Sequence, residues 1–518
     1  MTVRKIISLI FMVWSLNGQA QNIKSVQTDI VIYGATSGGV IAAQAAALNG
    51  LQVLLADPAK HIGGMSSGGL GQTDIGNKFA ITGLARDFYR EVGKHYGKPE
   101  QWIFEPHVAE EIFKGIISKH KIDYRPNYRL EKVEIKKGKI RALHFTDKSE
   151  GSIVVIKAKM FIDCSYEGDL MARAGISYTV GRESNATYNE TFNGVQLLDK
   201  HQFPDGVDPY KIKGNPESGL LYGIMPDALL PNGSADKKLQ AYNFRLCLTN
   251  EPSNRIPLNR PENYDSSRYE LLLRQLAVYT PDSLNWQLMH FAWMPNHKTD
   301  INNCGGFSTD MIGTNYNYPE ATESEREQII KDHIAYTKGL LYFIGHDPRM
   351  PQHLRNEMLQ WGYPKDEYVT NENFTPQLYI RESRRMIGPY VMTQQNCQGK
   401  EIVQDGIGLA AYTMDSHNCQ RIVVNGMVKN EGDVQVGGFP PYPVSYRSII
   451  PHKNQCQNLL VPVCLSASHI AYGSIRMEPV FMVLGQAAAT AAAKAIKTKK
   501  AVQEIDVRAL QMALGFVN

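Results

Sequence analysis

Cysteine is scarce in this 518-residue chain and never clustered. The seven cysteines, at 164, 247, 304, 397, 419, 456 and 464, are scattered over some 300 positions. That excludes the dense framework of a small disulfide scaffold, and the odd count leaves at least one thiol unpaired. No Cys-x-x-Cys occurs, which removes zinc-finger spacing and a redox-active cysteine pair; no metal is expected. Excess charge of one sign is also missing. Lys and Arg number 55 against 51 Asp and Glu, for a formal net charge of +4. With no basic stripe, a nucleic-acid partner is not expected. Repeats and low-complexity tracts are absent. Long apolar runs are lacking beyond the N-terminus, because the alanine-rich segment 484–496 is broken by Gln486, Thr490 and Lys494. No membrane-spanning segment is therefore predicted in the mature chain.

What the first twenty residues do contain is the pattern of a secretory signal. Arg4-Lys5 supplies a positive start, and Ile6 to Leu16 is an apolar run too short for a stable anchor. Gly18-Gln19-Ala20 offers small residues at the −3 and −1 positions of a cleavage site. The reading is cleavage after Ala20 and a periplasmic or secreted protein, not an integral membrane one.

Residues 28–55 read as one βαβ unit. Asp29 to Tyr33 is a short β-branched strand, a glycine-rich turn follows, and an alanine-rich helix (Val40 to Leu48) ends at Asn49-Gly50. Gln52 to Ala56 is the second strand. A periodic helix after 105, a strand pair through 128–146 and the apolar strand Met160 to Cys164 come next. The middle, 186–375, is rich in Pro, Asn, Trp and Tyr and has no βαβ rhythm. Strand and helix signals return at 402–424, followed by a strand (Leu459 to Leu465) and a helix from Pro479 to Lys497. These signals predict an α/β fold: a cofactor domain from residues 27–185 and 376–518, interrupted by a mixed α+β substrate or cap domain over 186–375.

Gly34-Ala-Thr-Ser-Gly38-Gly39 stands where a phosphate-binding turn must be. Gly34 and Gly39 fit the first and last glycine positions, while Thr36 replaces the middle one and Ser37 follows it. Amides at the helix start favour a diphosphate. Asp57, 23 residues after Gly34, is placed to accept ribose hydroxyls. A second glycine loop, His61-Ile-Gly63-Gly64-Met65-Ser66-Ser67-Gly68-Gly69-Leu70-Gly71, lets the chain run close along an extended cofactor, which favours FAD over NAD.

On these runs the chain resembles the FAD-dependent oxidoreductase family, and more broadly the glutathione-reductase-type flavoproteins and the flavin subunit of heterodisulfide reductases. Phe161-Ile-Asp163-Cys-Ser-Tyr-Glu167-Gly168-Asp169-Leu170 is similar to the family's second nucleotide motif. There an apolar strand ends at an acid, and a Gly-Asp pair opens the next helix near the FAD. The stretch Asn458 to His469, with Arg476-Met-Glu-Pro479 and Gly485-Gln486, is similar to its closing flavin motif. The resemblance implies that Arg476 supplies positive charge at the flavin N1–C2=O edge and that Gly485-Gln486 contacts it. Some relatives carry iron–sulfur clusters, but the nearest cysteine pairs here are eight and twenty-two apart, against such a cluster.

Two polar runs offer catalytic groups. Trp293 to Asn303 places seven polar side chains in eleven residues. His297 is a candidate base, with Asn296, Asp300 and Asn303 as substrate hydroxyl contacts; the alternative is a hydrogen-bonded turn with His297 on the surface. In Tyr379 to Arg385, Arg381 and Arg384 either clamp a substrate anion or pair with Glu382 and cofactor-domain carboxylates. His469 is the second candidate base, while His417 has only its residue type in its favour. The expectation is an exported oxidoreductase that transfers hydride between FAD and a small polar, carbohydrate-like molecule. No electron acceptor is named. The alternatives are a flavin-dependent isomerase or reductase, and a flavin-containing binding protein without catalysis.

Overall fold

The computed structural model describes residues 24–516, so the signal segment at 1–20 lies outside the described residues. The first strands are β1 (Lys24–Gln27) and β2 (Ile30–Tyr33), the latter buried along its whole length. Helix α1 (Ser37–Leu48) begins earlier than its apolar pattern implies, because Thr36 caps it: the Thr36 side chain accepts the Gly39 amide at 3.2 Å. Asn49 and Gly50 end it, Gly50 at φ +78°. Then come β3 (Val53–Ala56), α2 (Gly83–His95), α3 (Pro106–Lys119) and β4 (Asp123–Arg125). A meander, β5 (Tyr128–Lys136), β6 (Lys139–Asp147) and β7 (Ser152–Lys157), leads to β8 (Met160–Asp163).

The middle folds around β9 (Leu246–Thr249), β10 (Arg255–Pro257), β11 (Met289–Met294), β12 (Lys298–Asn303) and β13 (Gly362–Pro364). They form one antiparallel sheet in the order β10-β13-β9-β12-β11. Helix α4 (Glu323–His346) packs within this part and starts with a Thr322/Glu325 capping box. Near the end lie β14 (Met414–Ser416), β15 (Leu459–Leu460), α5 (His469–Ile475) and α6 (Glu478–Thr498).

The cofactor-domain sheet is parallel, in the order β15-β8-β2-β3-β4, with Ile30 facing Val53 on one side and Met160 on the other. β15 joins its edge, pairing Leu459 with Phe161, so both chain ends build it. The expected strand Leu459 to Leu465 stops after two residues, because Pro462 has no amide to donate. α6 is long and apolar enough to cross a bilayer, yet it is a buried core helix that packs on α1. Glycines allow that contact: a Cβ on Gly485 would overlap the Gly38 carbonyl oxygen, and one on Gly38 would lie 2.9 Å from the Phe481 oxygen.

Candidate active site

The nucleotide turn is shaped for close approach of backbone. Gly34 sits at φ +101°, and a Cβ there would lie 2.5 Å from Cys164 C and Ser165 N. A Cβ at Gly39 would overlap the Gly34 carbonyl. Thr36, the departure from the glycine pattern, does two tasks a glycine could not. Beyond capping α1, its hydroxyl donates to the Cys164 carbonyl at 2.9 Å, fastening the turn to the end of β8. Gly63 (φ +96°) and Gly64 (φ +54°) bend the second loop against it, where Met65 N donates to the Tyr166 hydroxyl at 2.9 Å. Ser37, Ser66 (3.2 Å) and Tyr166 (2.7 Å) donate their hydroxyls to the buried carboxylate of Glu478, in the first turn of α6.

Beside this turn lies a cavity of about 670 Å³ bounded by Ala35, Thr36, Asp57, Gly64, Tyr166 and Glu167. Asp57 accepts Ala35 N at 2.6 Å and Ala59 N at 2.7 Å, and its carboxyl is pushed up to about 7 by burial. In the cofactor-free protein the folded state thus holds this proton more tightly than the unfolded chain, whose ordinary value is 3.8. The stabilisation is present below pH 4 and is lost as pH rises through 7. In thermal melts of the cofactor-free proteins, the Tm of wild type relative to Asp57→Asn should fall as pH rises from 5 to 8. A constant difference would contradict the shift.

Several expected cofactor contacts have other work. Asp163 is fully buried and holds the turn after β8, accepting Ser165 N at 3.1 Å, Ser165 Oγ at 2.6 Å and Met171 N at 2.7 Å. Gly168, at φ +68°, starts the short helix Asp169–Arg173. Asp169 is clamped by Arg326 (2.7 Å) and Arg384 (2.8 Å). Arg384 therefore belongs to the nucleotide cavity, which it lines, and not to a substrate clamp. Gly485 serves the α1–α6 crossing, and Gln486 accepts Leu84 N at 2.8 Å at the start of α2.

The candidate bases are corrected as well. Asn296 and His297, both at φ +57°, form the exposed turn joining β11 to β12, so His297 is not a buried base. Left-handed backbone at both positions matches the mirror-image turns that close short hairpins. Asn296 donates to Glu105 at 2.8 Å. His469 is buried, but Glu382 (2.7 Å) and Ser416 (3.1 Å) occupy both its ring nitrogens, leaving none for a substrate proton. Burial raises the Glu382 carboxyl, yet His469 and Arg385 outweigh it and hold it at about 2. Asp300 is paired bidentately with Arg245, at 2.8 and 2.6 Å, and accepts Gln72 N. Asn303 is buried on β12 opposite Met289.

A buried histidine with one ring nitrogen bound and the other free is His417, directly after β14. Its Nδ1 is 2.8 Å from Asp310 Oδ2, which fixes the tautomer with Nε2 unprotonated. The closest carboxylate oxygen to Nε2, on Asp415, is 3.8 Å away, too far for a hydrogen bond. Burial, then the Arg381 charge, holds the His417 pKa below the ordinary 6.5 against the pull of Asp310. Arg381 contacts Asp310 at 3.0 Å and stacks over Tyr379 at 4.8 Å. Arg476, at the end of α5, donates to the Tyr379 hydroxyl at 2.8 Å and to the Asp415 carbonyl at 3.0 Å. Buried polar atoms of this cluster without a hydrogen-bond partner include Asn243 Oδ1, Asp310 Oδ1, Arg381 Nε and Arg476 Nε.

A second buried charge cluster joins the two parts of the molecule. Lys298 Nζ, at the start of β12, lies 2.7 Å from Glu105 and Glu367 and 2.8 Å from Asp366. Glu105, His107 and Glu367 bring their ligand-type atoms close together, but here the Lys298 ammonium serves both glutamates.

A glycine-rich turn after a buried parallel strand, an acid after the next strand and a sheet completed from both chain ends are the layout of a Rossmann-type dinucleotide-binding protein. The cofactor follows from the family. Residues 29–514 match the family described as FAD dependent oxidoreductase, and the chain belongs to it. No curated protein matches it in sequence. Among solved structures, OxyS anhydrotetracycline hydroxylase from Streptomyces rimosus is similar at 13% identity over 40% of this chain and 44% of that one, TM-score 0.26. A flavoprotein/dehydrogenase from Cytophaga hutchinsonii matches at 13% over 30% and 42%, TM-score 0.25. A geranylgeranyl bacteriochlorophyll reductase-like protein from Thermoplasma acidophilum matches at 18% over 30% and 43%, TM-score 0.24. The chain spans less than half the length of each of these three.

Proposed function

We propose that this is an exported dehydrogenase that oxidises a hydroxyl-bearing carbon of a small polyhydroxylated, carbohydrate-like molecule. The Asp310–His417 pair carries the reading: a buried histidine, neutral at pH 7, with one nitrogen oriented and the other free. FAD, when bound, supplies the two-electron acceptor for the C–H bond. His417 Nε2 accepts the proton of the hydroxyl being oxidised, and Asp310 stabilises the imidazolium that results. The unpartnered atoms include an acceptor, Asn243 Oδ1, and two donors, Arg381 Nε and Arg476 Nε. A hydroxyl both gives and takes hydrogen bonds, so a polyol completes such a set where a hydrocarbon would leave it unpaired. Arg476 would place fixed positive charge beside the flavin. Export is supported by Arg4-Lys5, the apolar run to Leu16 and the small residues before Gln21.

The test is anaerobic mixing of the FAD-loaded protein with sugars, sugar alcohols and hydroxy acids. Bleaching of the flavin band by a polyhydroxylated compound is the expected result. Reduction by dithionite but by none of these compounds would defeat the reading.

A further inference from the structure

The nucleotide cavity has one wall that does not come from the Rossmann sheet. Besides Asp57, Thr36 and Tyr166, the space of about 670 Å³ is bounded by Glu323, Arg326 and Ile330, on the first two turns of α4. Arg129 on β5 and Lys148, directly after β6, bound it from the cofactor domain. The cavity is thus a cleft between two parts of the chain, and its margin is where they meet.

Helix α4 is anchored unevenly. Its buried side chains begin at His333 and continue through Tyr336, Leu340 and Ile344, whereas none of the ten residues from Glu323 to Asp332 is fully buried. Ile329 and Ile330 are partly covered. Just before the helix, Tyr318 and Pro319 are buried. Residues 320–332 therefore run from one apolar anchor to the next with little apolar hold between them.

Charge holds this stretch to the cofactor domain. Glu323 accepts from Arg129 and, at 2.8 Å, from Lys148, while Glu327 lies 4.0 Å from Lys148. Glu320 accepts the Tyr178 hydroxyl at 3.2 Å. Deeper in, Arg326 grips Asp169 at 2.7 and 3.0 Å. The outer pairs are open to water: the Arg129 and Lys148 side chains are each 37% exposed and that of Glu323 is 31% exposed. Such pairs are weak singly and are screened by salt. The helix start needs none of them, since Thr322 and Glu325 cap each other locally. A segment capped on its own, anchored on either side and fastened between by exposed charge can lift while the core stays folded.

We propose that residues 320–332 are a strap across the margin of the cofactor cavity, latched by Arg129 and Lys148 on Glu323, which opens to admit FAD and to release it. Arg326 on Asp169 is the inner hold, and the Glu323 cluster is the outer one that salt loosens first. The latch joins two parts of the protein to each other. Opening it therefore speeds entry and exit alike and leaves the affinity nearly unchanged. The strap belongs to the cofactor cavity and stands whatever substrate is oxidised.

The test is exchange of FAD on the full chain. Protein loaded with radiolabelled FAD is diluted into excess unlabelled FAD at about 0.05 M and about 1 M NaCl, where screening lengths differ severalfold. Uptake is followed by mixing cofactor-free protein with FAD, and Kd is measured by calorimetry. At low salt, Glu323→Gln and Lys148→Gln should release and take up FAD roughly 3–10-fold faster than wild type with Kd changed by less than about twofold, the size expected for losing exposed ion pairs. High salt should speed wild type by a similar factor and the variants little. Lys453→Gln, which breaks the exposed Lys453–Glu504 pair elsewhere, should match wild type throughout. Variants that exchange FAD at the wild-type rate overturn the strap, as does a salt response equal in wild type and Glu323→Gln. Faster release matched by an equal rise in Kd also overturns it, because Glu323 would then be a contact of the bound cofactor and not a latch.

Discussion

His417→Gln should slow reduction of the bound flavin by substrate by roughly 10²–10⁴-fold, the range for loss of a positioned general base. Glutamine keeps an amide donor for Asp310, so the acid stays paired and the fold should survive. The FAD spectrum should be unchanged, since His417 takes no part in the cavity bounded by Asp57 and Thr36. The pH dependence provides a second reading. The histidine works only when neutral, and burial with Arg381 keeps its pKa below 6.5, so the wild-type rate should rise with pH on a limb below 6.5 and then level. In His417→Gln that limb should vanish. Stopped-flow reduction from pH 5 to 9 measures both effects. A variant that is reduced at the wild-type rate, or that keeps the acid limb, would show that another group takes the proton.

Lys298→Met is expected to be the most destabilising single change, at roughly 3–5 kcal/mol, the usual cost of leaving a buried charge without its partner. Lys298 is fully buried among Glu105, Glu367 and Asp366. Burial alone would lower its pKa, but Glu367 and the hydrogen-bonded carboxylates outweigh that and raise it, so the ammonium is firmly charged. Methionine has similar bulk and no charge, and it leaves Glu105 and Glu367 facing each other. Urea unfolding at pH 7 should show the loss, and lower pH should recover part of it as the two acids take up protons. Adding Glu105→Gln to Lys298→Met should cost less than the two single losses summed. Equal midpoints for wild type and Lys298→Met would show that the cluster contributes nothing.

The cofactor half was legible because its constraints are local. A four-residue apolar strand, a glycine turn and an acid one strand later lie within thirty residues, and each is of the type that the dinucleotide-binding pattern asks for. The same locality leaves Gly485 and Gln486 ambiguous between two kinds of contact. A helix crossing and a side-chain cap leave the same residues in the sequence as a flavin contact would. The proposed acid–base pair was illegible for the opposite reason. Asp310 and His417 are 107 positions apart, and only the antiparallel cap and the return of the chain through β14 bring them together. The short polar run Asp415-Ser-His417-Asn after an apolar residue is the one local mark of it. His297 stood in a richer polar run, yet Asn-His between two alternating strands is a hairpin signal, and it should have outweighed the count of polar side chains.

The contact between α1 and α6, glycine against glycine, has a consequence in time. Residue 38 meets residue 485 and strand β15 completes the sheet edge, so the binding domain closes only after nearly the whole polypeptide exists. Until then the first β-strands have an open edge and α1 has an uncovered apolar side. Such a late, long-range closure slows folding and exposes the unfinished chain to aggregation. Cofactor uptake is thereby made a final event, one that reports that the protein has been finished.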